Sequence, residues 1–256
     1  MAVKQTKKLN DSSVTDVTTV NSTDRILMKD SNGKLIPISL ANLKAAMMGG
    51  VDQNVQMDGV FIMYHDNSND APRMVKPHKW PSLQSAGQIA DGVVVVEGGK
   101  ILVVAPTEET MTWSSAAVSG GGTTTSDRVT AMNDWNGKAN TAAQITHAEC
   151  SSNAHAPGFC HQYSRVNANG KGLTAGKWWL PSLGEMMMIY ANMTKINYAL
   201  SLISGATPLQ ENWYWTSTES SATYAWHLYL NDGFALGSNT KASDAGRVRP
   251  VSAFIS

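Results

Sequence analysis

The segment between residues 213 and 254 contains the pattern that constrains the fold most. Part of it alternates strictly between apolar and more polar side chains, so it predicts a strand with one buried face and one mixed face. Asp232-Gly233 follows directly, and this dipeptide is the strongest short signal for a β-hairpin turn. We therefore predict an antiparallel hairpin centred on Asp232-Gly233. The apolar residues are Trp226, Leu228 and Leu230, and the alternating residues are His227, Tyr229 and Asn231.

A two-residue turn at this dipeptide determines which side chains share a face of the hairpin. Residues that lie opposite each other in an antiparallel pair point to the same side of the sheet. One side then faces a core, and the other displays aromatic side chains beside small polar groups, which is typical of a binding surface. The opposed pairs are Asn231 with Phe234, Tyr229 with Leu236, and His227 with Ser238; the core side holds Trp226, Leu228, Leu230, Ala235 and Gly237.

We predict that the displayed face binds a ligand. Exposed Tyr, Phe and Leu side chains together on one face mark a binding site more often than an ordinary surface hairpin, which is the alternative. The aromatic residues would supply rigid contact area, and serine and asparagine would supply adaptable hydrogen bonds. The complete predicted ligand-binding set is Tyr214, Ser220, Ser221, Tyr224, His227, Tyr229, Asn231, Phe234, Leu236, Ser238 and Asn239.

The C-terminal region resembles the C-type-lectin-like domains of bacterial and phage proteins. That group includes the formylglycine-generating-enzyme-like fold and the variable proteins of diversity-generating retroelements. The order and spacing of several motifs carry the resemblance, which covers residues 51 to 256. The motifs are Lys177–Met188 (KWWLPSLGEMMM), Trp215–Glu219 (WTSTE), Ala225-Trp226, Asp232-Gly233 and Arg247–Val251 (RVRPV).

The resemblance implies an α+β fold: a C-type-lectin-like domain with antiparallel strands and two or more helices, preceded by a small β-rich N-terminal module. The functional analogy is the receptor-binding tropism determinant at the tip of phage tail fibres, which binds and does not catalyse. It implies a host cell-surface receptor, protein or glycan, as the partner, a homotrimer as the assembly, and no cofactor or metal. It also implies that a retroelement diversifies the displayed positions by mutating template adenines.

The first fifty residues form a separate segment. Two short apolar runs within residues 24–40 flank Ser31-Asn32-Gly33 and predict a hairpin. Ser39 then caps a predicted short helix that ends at Gly49-Gly50, the best domain boundary. The pattern is similar to the N-terminal module of many phage tail-fibre proteins. A module this short gains stability by oligomerising or by docking on other tail proteins.

This boundary gives two predicted domains. Residues 1–50 form an attachment and oligomerisation module, and residues 51–256 form the ligand-binding domain. Composition argues against other partners: charged residues make up 16% of the chain, and Lys+Arg equals Asp+Glu at 20 each, so the basic excess of a nucleic-acid-binding protein is missing. No apolar run reaches the length of about 18 residues that a transmembrane helix needs.

The N-terminus has no apolar stretch of the kind found in secretory signals. We therefore expect synthesis in a bacterial cytoplasm, no membrane insertion and, on the resemblance, a final location in the virion tail. A bacterial surface adhesin with the same fold is an alternative function. An enzyme of the formylglycine-generating type is another, although neither cysteine lies where that family carries its active-site motif.

The segment from His147 to His161 contains histidines and both cysteines, which are residue types that bind zinc. Their spacing does not match the paired-ligand patterns of zinc sites, so a polar surface loop is the preferred interpretation and a metal site the alternative. Cys150 and Cys160 either form one bridge or remain reduced thiols, and we favour the reduced thiols.

Regular elements elsewhere follow from local patterns. β-branched runs over residues 92–97 and 100–105 predict two strands buried on both faces and joined at Gly98-Gly99, and another strand is expected over residues 60–64. Ser182 and Glu185 match a capping box that opens a helix. Further expectations are a flexible loop over 119–125, a helix over 126–135 with its continuation past Gly137 to 145 as the alternative, a long loop over 146–176 and a helix over 196–203. We also expect core positions for Trp178, Trp179, Trp215 and Trp226, and solvent or an ion pair with Glu219 for Arg247 and Arg249.

Overall fold

The structure is a computed structural model that describes Arg25–Lys29, Leu35–Ser39 and residues 58–253. The chain divides into two compact units, Met1–Gln56 and Met57–Ser256. No helix in the described parts of the chain is both long and apolar enough to cross a membrane.

The first unit contains a pair of short strands. β1 (Arg25–Lys29) and β2 (Leu35–Ser39) pair antiparallel, with Leu27 opposite Pro37, which confirms the predicted pairing of the two apolar runs. The predicted turn between them, the predicted helix after Ser39 and the predicted boundary at Gly49-Gly50 lie outside the described residues.

The second unit is α+β and contains two larger sheets. A six-stranded sheet has the order β10–β15–β6–β5–β3–β4, and a five-stranded sheet has the order β13–β12–β11–β14–β7; β8 and β9 form a small separate pair. Among the strands of the described chain, all pairings are antiparallel except that of β11 with β14. The strands are β3 (Gly59–His65), β4 (Pro72–Val75), β5 (Ala90–Glu97), β6 (Lys100–Val104), β7 (Glu109–Met111), β8 (Arg165–Val166), β9 (Gly172–Leu173), β10 (Trp178–Trp179), β11 (Trp213–Glu219), β12 (Tyr224–Tyr229), β13 (Ala235–Thr240), β14 (Gly246–Val248) and β15 (Val251–Ser252).

Several short helices complete this unit. Ser182 opens one of them with both reciprocal hydrogen bonds of a capping box with Glu185, as predicted. A helix is present where one was predicted from residue 126 to 135, and it spans Arg128–Met132. The alternative of a single helix that continues to residue 145 is wrong, because a second helix begins at Gly137. Asp134 lies between them, and its carboxylate accepts hydrogen bonds from Asn140 and Thr218, which a continuous helix would not allow. The helices are α1 (Trp80–Ser85), α2 (Arg128–Met132), α3 (Gly137–Gln144), α4 (Ala148–Ser151), α5 (Ala156–Gln162), α6 (Leu183–Ala191) and α7 (Met193–Ser201), with a 3₁₀ turn at Pro77–Lys79.

The six-stranded sheet is buried on both faces, as its β-branched runs predict. Val93 and Val95 belong to the main core, whereas Val94 and Val96 face a separate cluster that includes Trp178. β5 and β6 pair through the expected Gly98-Gly99 hairpin. The main core also takes side chains from α6, α7 and the five-stranded sheet. The sheets therefore share one core, and this holds the C-terminal hairpin rigidly.

The five-stranded sheet has a second, smaller core on its other face. Trp113, Trp215 and Ala225 pack there with Cys150 and Cys160. The two cysteines lie on α4 and α5, so residues 146–176 contain regular elements rather than the predicted long loop. Both cysteines are free thiols. The predicted core positions of the four tryptophans are confirmed, since Trp178, Trp179, Trp215 and Trp226 are all buried.

Candidate functional site

The loop that joins β12 to β13 is longer than the predicted two-residue turn. The backbone N–H of Tyr229 donates to the Phe234 carbonyl at 3.0 Å, and the N–H of Gly233 donates to the Tyr229 carbonyl at 2.9 Å. Four residues therefore form the loop, and Leu236 lies opposite His227 rather than opposite Tyr229. The predicted register is wrong by two positions.

Leu230 and Gly233 explain the longer loop. The Leu230 side chain is buried in the main core, and its N–H donates to the Asn212 carbonyl at 2.9 Å, so Leu230 is not available for the hairpin ladder. Gly233 has a φ of 76°, a left-handed conformation that favours glycine. A Cβ at this position would lie 2.6 Å from Cε1 of Tyr190. Core packing therefore determines the turn, and the dipeptide only accommodates it.

From His227 to the loop, a shift of two positions keeps each side chain on its predicted side of the sheet. Between Ala225 and His227 a bulge changes the register by one, so that Asn239 lies opposite Ala225. Trp226 is 4% exposed and Leu228 is 0% exposed, so the predicted core side of β12 is confirmed. The predicted displayed side is wrong for His227, which is also 0% exposed. Alternation therefore assigns the faces correctly but does not show which of them meets water.

Aromatic rings from the neighbouring strand cover His227. Trp215 lies directly opposite it on β11, and Trp213 lies opposite Tyr229. The ring centroids of Trp213, Trp215 and Tyr229 are 5.1, 5.9 and 5.5 Å from the imidazole. Within the described chain, neither ring nitrogen of His227 has a hydrogen-bond partner. Burial lowers the pKa of His227 to about 4, so the imidazole is neutral at pH 7.

Tyr214 is the second predicted site residue that the structure buries. It lies opposite Leu228, so its side chain points to the core side of the sheet. Its hydroxyl donates to Oε2 of Glu108 at 2.7 Å, and burial is the main reason that the pKa of this phenol is raised. The prediction that Tyr214 lies on the displayed face is wrong. Alternation along β11 places Trp213 and Trp215, not Tyr214, on the face of Tyr229.

The other predicted residues reach the surface. Because they are exposed or partly exposed, we call them the hairpin surface. Two groups lie at the two ends of β12: one at the turn that joins β11 to β12, and one at the loop that joins β12 to β13. The exposed members are Tyr224, Asn231, Phe234 and Ser238, and the partly exposed members are Ser220, Ser221, Tyr229, Leu236 and Asn239.

Phe234 is the most prominent aromatic side chain of the hairpin surface. It is 45% exposed, and the Arg128 guanidinium lies 4.6 Å from the centre of its ring. Val129, the next residue of α2, is 67% exposed. Sequence reasoning missed Arg128, Val129 and Trp213 as members of this region. Alternation along Trp213-Tyr214-Trp215 indicates that Trp213 shares a face with Tyr229. No pattern in the hairpin sequence indicates α2, which only the tertiary fold brings to the hairpin.

A buried ion pair fixes the opposite end of the hairpin. Nζ of Lys241 lies 2.5 Å from Oε2 of Glu219, and both side chains are 0% exposed. Glu219 also accepts the backbone N–H groups of Gly120 and Gly122 at 2.8 and 3.2 Å. Nζ of Lys241 lies 4.4 Å from the centre of the Trp113 ring. The glycine-rich segment therefore wraps the Glu219 carboxylate and is fixed by hydrogen bonds, contrary to the flexible loop that the sequence predicts.

The two arginines of the RVRPV motif use a different acid from the one expected. Nη1 of Arg247 lies 2.7 Å from Oε1 of Glu108, and Nη2 of Arg249 lies 2.6 Å from Oε2 of the same carboxylate. An ion pair was expected, but its partner is Glu108, because Glu219 is committed to Lys241. These contacts join β14 and the following residues to the start of β7 and support the sheet beneath the hairpin surface.

The histidine- and cysteine-containing segment buries its two cysteines and leaves His147, His155 and His161 partly exposed. Nδ1 of His155 pairs with the Thr112 hydroxyl at 3.0 Å. Burial raises the pKa of the Cys150 thiol to about 12 and that of Cys160 well above its ordinary value, so both thiolates are strongly disfavoured at neutral pH. Among the residues that the structure describes, no three His, Cys, Asp or Glu side chains are grouped to hold a metal ion.

Comparisons with known proteins identify few relatives. No protein-family model matches the chain, and no curated protein matches its sequence. The structure is similar to that of a fimbrial protein from Bacteroides ovatus ATCC 8483, with a TM-score of 0.41 and 17% sequence identity. The similarity covers 60% of this chain and 35% of the fimbrial protein, so this chain corresponds to about a third of that protein's length. A similarity at this level carries no argument about function.

Proposed function

We propose that this chain is the receptor-binding protein of a phage or prophage tail fibre, with a C-type-lectin-like domain that binds a host cell-surface receptor through the hairpin surface. Binding is non-covalent and involves no catalysis, cofactor or metal. The receptor is a protein or a glycan. The protein is made in the bacterial cytoplasm and acts in the virion tail.

The observation that carries this proposal is the exposure of aromatic side chains on a rigid hairpin. Tyr224 and Phe234 are 40% and 45% exposed, while Trp226 and Leu228 hold the same strands to the main core. The two rings lie at opposite ends of β12, and large exposed apolar side chains cost solubility, so each ring marks a candidate contact point for a partner. Rigid aromatic rings lose little conformational entropy on binding, which suits them to be anchors.

Polar members of the hairpin surface complement these anchors. Ser238 and Asn231 are exposed, and Ser220, Ser221 and Asn239 are partly exposed, so all five are available to a ligand. Ser221 already caps its own turn, because its hydroxyl accepts the backbone N–H of Tyr224 at 3.1 Å. Hydroxyl and amide groups adapt to the donors and acceptors of a ligand. The combination of anchors and adaptable groups resembles a paratope.

Separation of surface from core also supports diversification by a retroelement. Trp226, Leu228 and Leu230 are buried, and the partly exposed Tyr229 and the exposed Asn231 alternate with the two leucines. Substitutions at the hairpin surface therefore leave the packing of the main core intact. A near-copy of the 213–254 coding segment beside a reverse-transcriptase gene, differing at adenines, would establish this part of the proposal. A flanking sequence without both elements would contradict it.

A trimer would increase the effect of each weak site. In the proposal, residues 1–50 assemble three chains and attach them to other tail proteins, and simultaneous engagement of several sites raises avidity without new contacts. Sedimentation equilibrium of the full chain measures this directly. A trimeric mass is expected, and a monomeric mass across the concentration range would contradict the assembly.

Binding of the fluorescently labelled full chain to a panel of bacterial strains tests the function. We expect selective binding to some strains, with losses in Phe234→Ala and Tyr224→Ala. Tyr198→Ala is the matched control, because Tyr198 is a 54% exposed aromatic side chain on α7 and not part of the hairpin surface. Binding to no strain, or binding that persists in both hairpin variants, would contradict the proposal.

The buried thiols do not favour the enzyme alternative. Cys150 and Cys160 are both 0% exposed, and their raised pKa values leave little thiolate to react. Labelling with a thiol reagent separates the two functions. Slow labelling in the folded chain is expected, and fast, pH-dependent labelling of either cysteine would favour chemistry instead.

A further inference from the structure

A second concave region of the domain lies apart from the hairpin surface. It consists of two adjoining cavities, of about 190 Å³ and about 510 Å³, which share Lys100, Trp135 and Met188 as lining residues. The outer cavity is within the range of about 300–1,000 Å³ found for ligand sites. The walls come from α6, the β5–β6 hairpin and the connection between α2 and α3. Trp179 and Glu185 also line the inner cavity, and Glu97, Gly184 and Met187 also line the outer one.

Two indole rings form the walls of the inner cavity. Trp179 is 7% exposed, and its Nε1 donates to Oε2 of Glu185 at 3.1 Å, which fixes the ring. Trp135 is 37% exposed, so one part of its ring is free. Gly184 allows Trp135 this close approach, since a Cβ there would lie 3.1 Å from Cε2 of the ring. The inner cavity therefore offers a flat aromatic surface held by its surroundings.

The Glu185 carboxyl presents one oxygen that the protein does not use. The side chain is almost completely buried at 6% exposure, and the hydrogen bonds that it accepts from Nε1 of Trp179 and the N–H of Ser182 both reach Oε2. In the part of the chain that the structure describes, Oε1 has no such donor and is not among the fully buried atoms without a partner, so it keeps contact with solvent where Glu185 lines the inner cavity. Burial raises the pKa of Glu185 to about 7. A ligand that covers this oxygen must offer it a polar partner in place of water.

The charges around the cavities select the class of ligand. Nζ of Lys100 lies 5.1 Å from the centre of the Trp135 ring, and Nζ of Lys138 lies 5.9 Å from that of Trp179. Each indole therefore already has a cation, which disfavours a cationic ligand. Glu97 and Glu185 disfavour an anion. A pure hydrocarbon would leave Oε1 of Glu185 dry. A neutral molecule that has hydroxyl groups and one apolar face satisfies all of these conditions.

We propose that this pair of cavities binds a neutral sugar ring. The apolar C–H face of the ring stacks on Trp135, one hydroxyl pairs with Oε1 of Glu185, and another accepts a hydrogen bond from Nζ of Lys100. Further sugar units extend into the outer cavity along the methionines of α6. The site is separate from the hairpin surface, because no residue that lines the two cavities belongs to that surface.

Titration of the full chain with small neutral glycosides tests this site. The probes are the methyl glycosides of glucose, galactose and N-acetylglucosamine, with butylammonium and butyrate as charged controls, followed by tryptophan fluorescence and saturation-transfer NMR. At least one glycoside is expected to bind with a Kd of about 1 mM or lower, and the charged controls are expected not to bind. No glycoside binding, or preferential binding of either charged control, would overturn the proposal.

Three variants locate the binding within the cavity. Trp135→Ala and Lys100→Met are expected to weaken glycoside binding by about tenfold or more, which corresponds to about 1.4 kcal/mol. Tyr198→Ala removes another exposed aromatic side chain and is expected to leave it unchanged. Unaltered affinity in both Trp135→Ala and Lys100→Met would overturn the proposal, even if one of them folded poorly, because each tests a different contact.

Phe234→Ala separates this proposal from the tail-fibre function. Glycoside binding is expected to be unchanged in Phe234→Ala, whereas binding to bacterial cells is expected to fall. If cells bind through Phe234 but no glycoside binds, the sugar site is wrong and the receptor function stands. If a glycoside binds through Trp135 but cell binding does not depend on Phe234, the sugar site stands and the receptor function of the hairpin surface is wrong.

Discussion

The two ends of the C-terminal hairpin differ in what covers them. At the closed end, Glu219 and Lys241 form an ion pair with both side chains 0% exposed, beneath Trp113 and the glycine-rich segment. At the open end, Tyr229 is partly exposed and Phe234 is 45% exposed. The same sheet therefore has a face that is core at one end and surface at the other.

This difference shows that strand alternation defines faces but not exposure. Ala225 and Tyr229 are on the same side of β12, yet Ala225 packs in the second core with Cys150 and Cys160. Trp113, Cys150, Ala156 and Cys160 of that core lie more than sixty positions earlier in the chain, and Tyr229 is not part of it. His227, between Ala225 and Tyr229, is covered by the indoles of β11 and by the ring of Tyr229. Distant chain segments therefore decide which part of the hairpin is available to a ligand.

The largest expected effect on stability is at the closed end. Lys241→Met leaves the Glu219 carboxylate buried without its cation, so the free energy of unfolding is expected to fall by about 3–5 kcal/mol. Urea unfolding measures the change. The double variant Lys241→Met/Glu219→Gln removes both charges and is expected to recover part of the loss. A single variant as stable as the wild type would show that the closed end does not depend on this pair.

A pair of alanine variants compares a buried with an exposed side chain on one side of β12. Trp226→Ala removes a side chain that is 4% exposed and is expected to cost about 3–5 kcal/mol of unfolding free energy. Tyr224→Ala, two residues earlier, is the matched control, because Tyr224 is 40% exposed and is expected to cost about 0.5 kcal/mol or less. Equal losses in urea unfolding for the two variants would contradict the assignment of core and surface.

His227 makes the border between the two ends sensitive to pH. Burial lowers its pKa from 6.5 to about 4, so the unfolded chain binds more protons than the folded chain in this window. Stability from this group is present above pH 6.5 and is lost as the pH falls toward 4, by up to about 3 kcal/mol. Other groups titrate nearby, so the difference between His227→Phe and the wild type is the informative quantity.

The stability of His227→Phe relative to the wild type is expected to increase as the pH falls from 7 to 4, because phenylalanine cannot be protonated. Thermal unfolding at several pH values follows it. Its ring also replaces two nitrogen atoms that have no described partner. A difference that stays constant with pH would show that His227 has the same pKa in the folded and unfolded chains.

Phe234→Ala has the smallest expected effect on stability and a large one on binding. The free energy of unfolding is expected to change by about 0.5 kcal/mol or less, because the ring is exposed and its main described contact is with Arg128. Cell binding is expected to weaken by about tenfold or more, as for an interface anchor. A Phe234→Ala variant that loses stability but still binds cells would show that Phe234 is a structural residue and not a contact for the receptor.

Local patterns predict the elements that depend only on neighbours. The Gly98-Gly99 hairpin, the capping box of Ser182 and Glu185, and the burial of Trp226 are confirmed. Each follows from side chains within a few positions of one another. The α+β class, which the resemblance of the C-terminal motifs implies, is confirmed by the two larger sheets and the helices of the second unit.

Contacts between distant segments account for the errors. His227 is buried because Trp213 and Trp215 pair with its strand in a particular register. Tyr214 is buried because it is opposite Leu228, and the turn is longer because Leu230 enters the core. The proximity of Arg128 to Phe234 depends on α2, more than one hundred residues earlier. None of these contacts has a signal in the hairpin sequence alone, apart from the parity of the WYW motif.

Site-specific crosslinking tests the central claim about the open end most directly. Benzoylphenylalanine replaces Phe234 in one full-length variant and Tyr198 in another, and each is irradiated on cells that the wild-type chain binds. The account predicts crosslinks to a cell-surface molecule from position 234 and none from position 198. Crosslinks from position 198 with none from position 234 would contradict it.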